Sequence, residues 1–511
     1  MGRLRIGVGI GFLLLLPLFI NGSASAEVKL PKVLADHMVL QRRAPVHIWG
    51  WANDAEQVTV EFRGQTRSAT ADDIGRWEVD LPPGEAGGPF ALTVRGTNTV
   101  TLNDILVGDI WIASGQSNME MPLDGFGPDL PIKDAVKEIA AANHPELRFI
   151  TLAEASSDYP LDDTKVQIPW QVCSPENAGR LSAVAYFFAR DLQSVEHVPI
   201  GIIVSAWGGT PVESWTSHQT LTSDPALMPL LALYDQETRD YANELRVIEK
   251  EQAEAKKSGK PAPWHLGVQT GWLPSGLFNA MIAPLTPLRI KGAIWYQGES
   301  NASPERAALY ARSFPAMIAD WREAWRQGDF PFLYVQISKI NPPAPSPWSV
   351  LRETQRRSLS INNVAMVVSA DVGVAENVHP PDKQTIGARL VLAARALAYQ
   401  EPIEYSGPAY RQTSLEPGAI RVWFDHADGL NARDGKLLGF EVARADHKFF
   451  AATAQVEGST VVASSSSVAN PIYVRYAWSA SSPMTLFNRE GLPASPFNSD
   501  DTYANQDQPS R

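Results

Sequence analysis

The stretch ILVGDIWIASGQSNME, residues 105–120, decides the fold, because a largely apolar run changes abruptly into small and polar residues. A continuous apolar run of this length is typical of a strand that is buried on both faces of a parallel sheet. Runs of the same kind recur, separated by amphipathic helical stretches, at Ile200 to Ala206, Gly292 to Tyr296, Phe332 to Ile337 and Val364 to Ala370. Residues 103–404 are therefore predicted to form an α/β domain with a parallel sheet covered by helices.

Short alternating segments flank this region on both sides. In residues 27–102, runs such as Val46 to Trp51 alternate apolar and polar residues and are interrupted by turn residues, and residues 405–500 repeat the pattern. Such alternation predicts antiparallel strands with one buried face. A charge-rich stretch at about 230–262 predicts an exposed helical insertion, and the polar tail 501–511 is predicted to be disordered.

Length and composition limit the class of protein. The chain has 511 residues, which exceeds the size of a single hydrophobic core and predicts more than one domain. It is 44% hydrophobic and carries a formal net charge of -12. That charge disfavours nucleic acid as a partner, whereas a neutral or mildly charged carbohydrate is compatible with it.

Residues 1–26 are predicted to be a removable signal peptide. Arg3 and Arg5 precede an apolar run from Ile6 to Ile20, and the small residues Ala24 to Ala26 form a cleavage pattern. The run is shorter than the roughly 20 residues that span a bilayer, so we expect no membrane span in the mature protein. A retained N-terminal anchor is the alternative. We expect export to the periplasm or the extracellular space.

Cysteine and metal chemistry are disfavoured as the basis of function. Cys173 is the single cysteine, so no internal disulfide forms, and we interpret this residue as buried and inert rather than as a nucleophile. Neither an H-E-x-x-H motif nor paired cysteines occur in the sequence. We therefore expect no metal site.

Three of the predicted strands end in clusters of polar residues and glycine. The first cluster contains Ser117, the second contains Gly208 and Gly209, and the third runs from Gln297 to Asn301. Ligands bind beyond the carboxyl ends of strands in open parallel sheets, so these clusters predict one functional edge. A helix N-cap is the alternative role for Ser117. Glycines after a strand let a backbone N–H approach a developing oxyanion.

A base for Ser117 is sought among nine histidines, of which only His379 follows the last predicted parallel strand. A serine hydroxyl becomes a nucleophile when a base within hydrogen-bond reach takes its proton, and an acceptor orients that base. Glu376, three residues before His379, is the candidate acceptor, and Asp371 is its rival. A surface role for His379 is the alternative. The G-x-S-x-G elbow is missing around Ser117, which favours a different serine hydrolase scaffold.

In these blocks the chain resembles the sialate O-acetylesterase family, within the wider group of SGNH hydrolases. The blocks that carry the resemblance are Leu34–Gln41, Gly115–Met119, Trp207–Trp215, Lys291–Asn301, His379–Gln384, Val474–Trp478 and Gly491–Phe497. The resemblance implies a flavodoxin-like SGNH hydrolase domain with N-terminal and C-terminal antiparallel β-sandwich segments. It also implies removal of acetyl groups, such as the 9-O-acetyl group of sialic acid, through an acetyl-serine intermediate without a cofactor.

The resemblance further assigns roles to residues. Ser117 matches the nucleophile of the family and His379 its base, and the oxyanion would be held by the N–H groups of Ser117 and Gly209 and by the side chain of Gln297. The family places Asp where this chain has Glu376, so a Ser–His dyad helped by a backbone carbonyl is an alternative. Further sugar contacts are expected from Gln116, Asn118, Trp207, Glu213, Glu299, Asn301 and Trp348.

Two other functions stay open at this point. The first is a deacetylase of xylan or another polysaccharide, because the chemistry would be unchanged and only the sugar pocket would differ. The second is a carbohydrate-binding protein without turnover, against which the intact pair of Ser117 and His379 argues.

Overall fold

A computed structural model describes residues 27–259, 270–342 and 346–502 of the chain. The predicted signal peptide lies outside the described residues, as does all but the beginning of the predicted tail. The strands of the N-terminal region are β1 (Val39–Gln41), β2 (Val46–Trp51), β3 (Gln57–Phe62), β4 (Gln65–Thr70), β5 (Arg76–Leu81) and β6 (Gly87–Arg95). Burial alternates along β2 and β5, which pair with each other antiparallel, as the alternating sequence predicts.

The strand β7 (Thr99–Gly115) joins the N-terminal region to the α/β region. Its first part pairs antiparallel with β6, and its second part pairs parallel with strands of the α/β region. The predicted boundary between residues 102 and 103 therefore falls inside one continuous strand. The two regions share a single 11-stranded sheet.

The α/β region is built on a mostly parallel sheet. Its remaining strands are β8 (His144–Leu152), β9 (Val166–Cys173), β10 (Ile200–Ala206), β11 (Gly292–Tyr296), β12 (Phe332–Val335) and β13 (Val364–Val367). Their order is β13-β12-β11-β7-β10-β8-β9, in which only β9, at the edge, runs antiparallel to its neighbour. This arrangement confirms the predicted fold class.

Helices cover both faces of this sheet. They are α1 (Ser117–Glu120), α2 (Ala135–Ala141), α3 (Ala183–Glu196), α4 (His218–Ser223), α5 (Met228–Ser258), α6 (Pro304–Trp325), α7 (Trp348–Arg357) and α8 (Lys383–Ala398). Trp295 of β11 packs into the core beneath α6, whereas its neighbours Ile294 and Tyr296 pack into the core beneath α3 and α8. Successive strand residues point to opposite faces, so a strand buried on both sides is apolar throughout.

The charged insertion forms the long helix α5, which the sequence predicted as a helix at about 230–262. The helix ends at Ser258 and is followed by Gly259, which adopts a left-handed conformation with φ of +66°. Within the described ranges, no helix is long and apolar enough to cross a membrane.

The C-terminal region contains two four-stranded antiparallel sheets around one core. Its strands are β14 (Ala409–Glu416), β15 (Ala419–Asp425), β16 (Asn431–Ala432), β17 (Phe440–Ala443), β18 (Phe450–Ala451), β19 (Thr453–Glu457), β20 (Thr460–Ser464), β21 (Tyr473–Tyr476), β22 (Leu486–Phe487) and β23 (Phe497–Asn498). Val422 of one sheet and Val442 of the other share a buried cluster, as the predicted β-sandwich requires. Arg352 of α7 joins this region to the α/β region, because its buried guanidinium donates to the carbonyls of Ser479 and Ala480.

Cys173, at the end of β9, is buried as predicted. Burial raises the pKa of its thiol to about 12, because the charged thiolate is disfavoured away from water. The thiol is therefore protonated at neutral pH and is not an activated nucleophile.

Candidate active site

Ser117 lies directly beyond the carboxyl end of β7, as the first residue of α1. The strand ends at Gly115, whose φ is +137°, and a Cβ atom there would lie 2.2 Å from the carbonyl oxygen of Tyr296. No side chain fits at that distance, so the turn requires glycine. The N–H of Gln116 then donates to the same Tyr296 oxygen at 3.0 Å. Backbone contacts therefore fix the position of Ser117 at the edge where ligands bind in such sheets.

The loop between β13 and α8 brings His379 to Ser117. Nε2 of His379 lies 2.8 Å from Oγ of Ser117, although 262 positions separate the two residues. The ring of Phe126 packs edge-on against the imidazole, with 5.7 Å between the ring centroids. The backbone N–H of His379 donates to Oδ1 of Asn377 at 2.9 Å. Burial, followed by the positive charge of Lys383, lowers the pKa of His379 to about 4. The imidazole is therefore neutral at pH 7 and can accept a proton.

Neither predicted carboxylate is brought to His379. Glu376 is exposed and forms no hydrogen bond or ion pair among the described residues, because a tight bridge between Val374 and Asn377 leaves it facing solvent. Asp371 accepts two hydrogen bonds from Arg389, each 2.7 Å long. In the part of the chain that is described, the expectation that one of them orients the imidazole is not met.

Two backbone N–H groups near the Ser117 hydroxyl are the ones expected to bind an oxyanion. The Ser117 N–H is the first of α1, and such groups have no acceptor within their own helix. Gly209 has φ of +73° in the turn after β10, and its N–H has no partner among the described residues. A Cβ atom on the preceding Gly208 would lie 3.3 Å from Cβ of Ser117, so this turn packs against the nucleophile.

The side chain of Gln297, expected to be a third oxyanion donor, is committed elsewhere. It is fully buried, and its Nε2 donates to the carbonyl of Thr210 at 3.2 Å and to Oδ1 of Asn301 at 2.6 Å. Its Oε1 accepts from the Tyr310 hydroxyl at 3.2 Å. A side-chain amide has only two N–H bonds, so both donors are used within the protein.

Three residues expected to touch the sugar are buried and form hydrogen bonds with other parts of the protein. Asn301 donates to Glu213 at 3.0 Å, and Glu213 also accepts from Nε of Arg306 at 2.7 Å. The side chains of Asn301, Glu213 and Arg306 are all buried. Gln116 is also buried, and its Oε1 accepts from the N–H groups of Gly298 and Ser300 at 3.2 and 3.3 Å. These contacts tie the ends of β7 and β11 and the turn after β10 together.

The two tryptophans expected at the sugar differ in exposure. Trp348 is buried and donates its indole N–H to the carbonyl of Ser338 at 2.7 Å, so its ring is part of the core. Trp207 is half-buried beside Gly271, and its backbone N–H donates to Gly115 at 3.1 Å. Of the two, only Trp207 has a ring partly open to solvent.

Asn118, next to Ser117 in the chain, connects it to the loop that carries His379. Its Nδ2 donates to the carbonyl of Val378 at 3.1 Å and to Oε1 of Glu299 at 2.7 Å, and its Oδ1 accepts from Nζ of Lys383. Val378 directly precedes His379 in the chain. Lys383 is fully buried, and burial lowers the pKa of its ammonium group to about 7. Burial also raises the pKa of the Glu299 carboxyl. Asn118 therefore holds the base loop through side-chain contacts.

A cavity of about 740 Å³ is lined by neighbours of the pair formed by Ser117 and His379, although neither of these two residues lines it. Phe126, which packs on His379, forms one wall, and Glu120 of α1 forms another. The carboxylate of Glu120 accepts from the Gly208 N–H at 2.6 Å, and burial together with the charge of Glu154 raises its pKa to about 7. Arg180 lines the same cavity. The volume is in the range of small-ligand sites.

Comparison with known proteins finds a matching family model and several relatives of this chain. A family model described as "Carbohydrate esterase, sialic acid-specific acetylesterase" matches residues 267–395. Human sialate O-acetylesterase is 30% identical, with 92% of this chain and 91% of the human protein covered. This chain belongs to the sialate O-acetylesterase family. The mouse sialate O-acetylesterase gives the same identity over 92% of this chain and 93% of its own length.

The fold of this chain is similar to that of a carbohydrate acetylesterase of known structure. It is described as a novel carbohydrate acetylesterase from Xanthomonas citri and superposes with a TM-score of 0.80. The two proteins are 36% identical, with 93% of this chain and all of the other covered. With the family match, this likeness identifies the chain as a carbohydrate esterase.

Sequence reasoning missed two residues of this esterase's site. Lys383 lies in the block from His379 to Gln384, and Glu120 ends the run Gly115 to Glu120. The signal for Lys383 was its place inside a block used for the resemblance, and the signal for Glu120 was its place directly after the block Gly115–Met119. Their contacts with Asn118 and Gly208 are visible only once the chain is folded.

Proposed function

We propose that this carbohydrate esterase removes O-acetyl groups from sugars by two acyl transfers through Ser117. The observation that carries the proposal is the 2.8 Å contact between Oγ of Ser117 and Nε2 of His379. His379 takes the hydroxyl proton while Ser117 attacks the acetyl carbonyl. The tetrahedral intermediate then collapses, and the sugar alcohol leaves with the proton from the imidazolium.

The second transfer regenerates the enzyme. Water gives a proton to His379 and attacks the acetyl-serine ester, and acetate leaves as the proton returns to Ser117. In both steps the negative oxygen lies against the N–H groups of Ser117 and Gly209, and such donors are worth about 3 to 4 kcal/mol each. We assign Gln297 to the support of the strand ends, because both of its N–H bonds are already used.

We propose that the site works as a dyad. Glu376 is exposed and Asp371 is paired with Arg389, so the described residues supply no carboxylate to the imidazole. Instead, the position of His379 follows from the contacts of its loop with Asn118 and Asn377.

For the sugar, O-acetylated sialic acid is the first candidate, because relatives that align with most of this chain are named sialate O-acetylesterases. A neutral acetylated polysaccharide such as acetylxylan is the second candidate. The observation that favours it is the lining of the cavity, where the acidic side chains of Asp124 and Glu154 outnumber the basic side chain of Arg180. Acetate release from 9-O-acetyl sialic acid and from acetylxylan, compared as kcat/KM, separates the two.

We also propose that the protein is exported, on the strength of residues 1–26. N-terminal sequencing of the protein from a secreting host is expected to begin at Glu27. A first residue within the segment 1–20 would contradict removal of this segment.

The chemistry is tested by replacing the nucleophile. Ser117→Ala is expected to lower kcat for p-nitrophenyl acetate roughly 10,000-fold or more, with an unchanged circular dichroism spectrum. Ser114→Ala is the matched control, because Ser114 is a buried serine three positions earlier whose hydroxyl has no hydrogen-bond partner among the described residues. The control is expected to keep its activity.

Retention of esterase activity by Ser117→Ala would refute the proposal. So would sugar binding by the wild-type chain with no acetate release and no labelling by a serine-directed phosphonate, which would indicate a carbohydrate-binding protein without turnover.

A further inference from the structure

A second cavity, of about 660 Å³, lies between the N-terminal strands and the α/β region. One wall is the antiparallel pair β2 and β5, and the other consists of residues 160–162 and 283–287. We refer to it as the N-terminal cleft. None of the residues lining it takes part in the contacts of Ser117 and His379.

The N-terminal cleft is lined by tryptophans. In the β2–β5 register, Trp49 lies opposite Glu78 and Trp51 lies opposite Arg76, so these four side chains share one face of the pair. Both indole rings are half-buried, which leaves part of each open to the cleft. Trp77 lines the cleft from the opposite face of the strand pair.

The ring of Trp49 is held in place by its neighbours. His47 stacks on it with centroids 5.4 Å apart and an interplanar angle of 28°. Nδ1 of His47 in turn lies 3.0 Å from Asp80. A ring that is already ordered loses little conformational entropy when a ligand binds.

Polar groups accompany the rings. Arg76 forms an ion pair with Asp162, which links the strand pair to the opposite wall. The carboxylates of Asp72 and Glu78 also line the cleft, so acidic groups outnumber basic ones and an anionic ligand is disfavoured.

We propose that the N-terminal cleft is a second binding site, which takes a neutral saccharide chain at a place separate from Ser117. A sugar ring presents C–H bonds on its faces and hydroxyl groups at its edge. The faces pack on the indoles of Trp49 and Trp51, and the hydroxyls bond to the carboxylates and to Arg76. The inference rests on the proposed function, because it takes the substrate to be a carbohydrate. The N-terminal cleft would then hold a polymeric substrate on the enzyme.

The test measures binding and catalysis separately. Xylohexaose and mannohexaose, two neutral chains, are titrated by calorimetry into the full chain carrying Ser117→Ala, which removes turnover. We expect at least one to bind, and we expect the added pair Trp49→Ala and Trp51→Ala to weaken that binding at least tenfold. In the chain with intact Ser117, the same pair is expected to lower kcat/KM on acetylated polysaccharide several-fold and to leave p-nitrophenyl acetate hydrolysis unchanged.

Two control variants separate the loss of the cleft's aromatic rings from other effects of the substitutions. Phe450→Ala removes an exposed aromatic ring of the C-terminal region and is expected to change none of these values. Trp49→Phe with Trp51→Phe keeps aromatic faces and is expected to retain most of the binding even where the alanine variant proves unstable.

Equal binding by the alanine variant, or no binding of either chain to the parent protein, would overturn the proposal. Tighter binding of an oligogalacturonate than of xylohexaose would also overturn it, because the cleft would then prefer anions. Loss of p-nitrophenyl acetate hydrolysis in Ser117→Ala tests the proposed function independently of these results.

Discussion

The proposed nucleophile and its proposed base are held in place by different kinds of contact. Ser117 follows β7 at a turn fixed by backbone hydrogen bonds and by the contact of Gly115 with Tyr296. His379 lies on the loop between β13 and α8, which side chains such as Asn118 and Asn377 hold. A backbone turn tolerates changes in the side chains around it, whereas the base depends on a few distant residues. The loop is therefore the more vulnerable half of the site.

The largest effect is expected from removing the base itself. His379→Ala is expected to lower kcat for p-nitrophenyl acetate roughly 10,000-fold, because Ser117 then has no proton acceptor. His218→Ala, in α4, is the control and is expected to keep full activity. An active His379→Ala variant would mean that the contact in the structure is not the catalytic one.

A smaller loss is expected from loosening the loop. Asn118→Ala removes the bonds to Val378 and Glu299, and a shift of about 1 Å in His379 would cost roughly 100-fold in kcat. Asn118→Asp keeps an acceptor for Lys383 but loses both donors, so a similar loss is expected. KM for p-nitrophenyl acetate should change little in either variant. An unchanged kcat would show that the loop is held by other contacts.

Replacing the buried Lys383 is expected to shift the pH dependence of kcat/KM. The kcat/KM of the wild-type enzyme should fall only as the pH drops through about 4, because the free imidazole is the active form and its pKa is lowered to that value. Lys383→Met removes a repelling charge, so the pKa of His379 rises toward 6.5 and the acid limb moves to higher pH. Lys133→Met, an exposed lysine bonded to Asp382, should leave the profile in place. A midpoint near 6.5 in the wild-type enzyme would contradict this account.

The smallest effect is expected from replacing Glu376, which stands where the SGNH family has Asp. Glu376→Gln should change kcat less than about twofold, because the carboxylate is exposed and bonds to nothing among the described residues. A loss near 100-fold would show that Glu376 reaches His379 during catalysis, and the dyad would become a triad.

The sequence predicted the bounds of two parallel strands closely, but it did not predict the hydrogen-bond partners of the site residues. Ile200 to Ala206 and Gly292 to Tyr296 were predicted with the bounds that the structure has, because a doubly buried strand is apolar at every position. The predicted domain boundary was placed inside β7, because the alternating and the continuous patterns meet within that strand. Gln297 was assigned to the oxyanion through resemblance, but its partners Thr210 and Tyr310 come from other segments. Contacts between distant side chains leave no periodic trace in a sequence.

We propose that Ser117, activated by His379, carries the acyl group, and mass spectrometry after reaction with a serine-directed fluorophosphonate can detect this directly. We expect one adduct on the peptide containing Ser117 in the wild-type chain, with labelling slowed at least 100-fold in His379→Ala. An adduct on another residue, or equal labelling of both proteins, would contradict it.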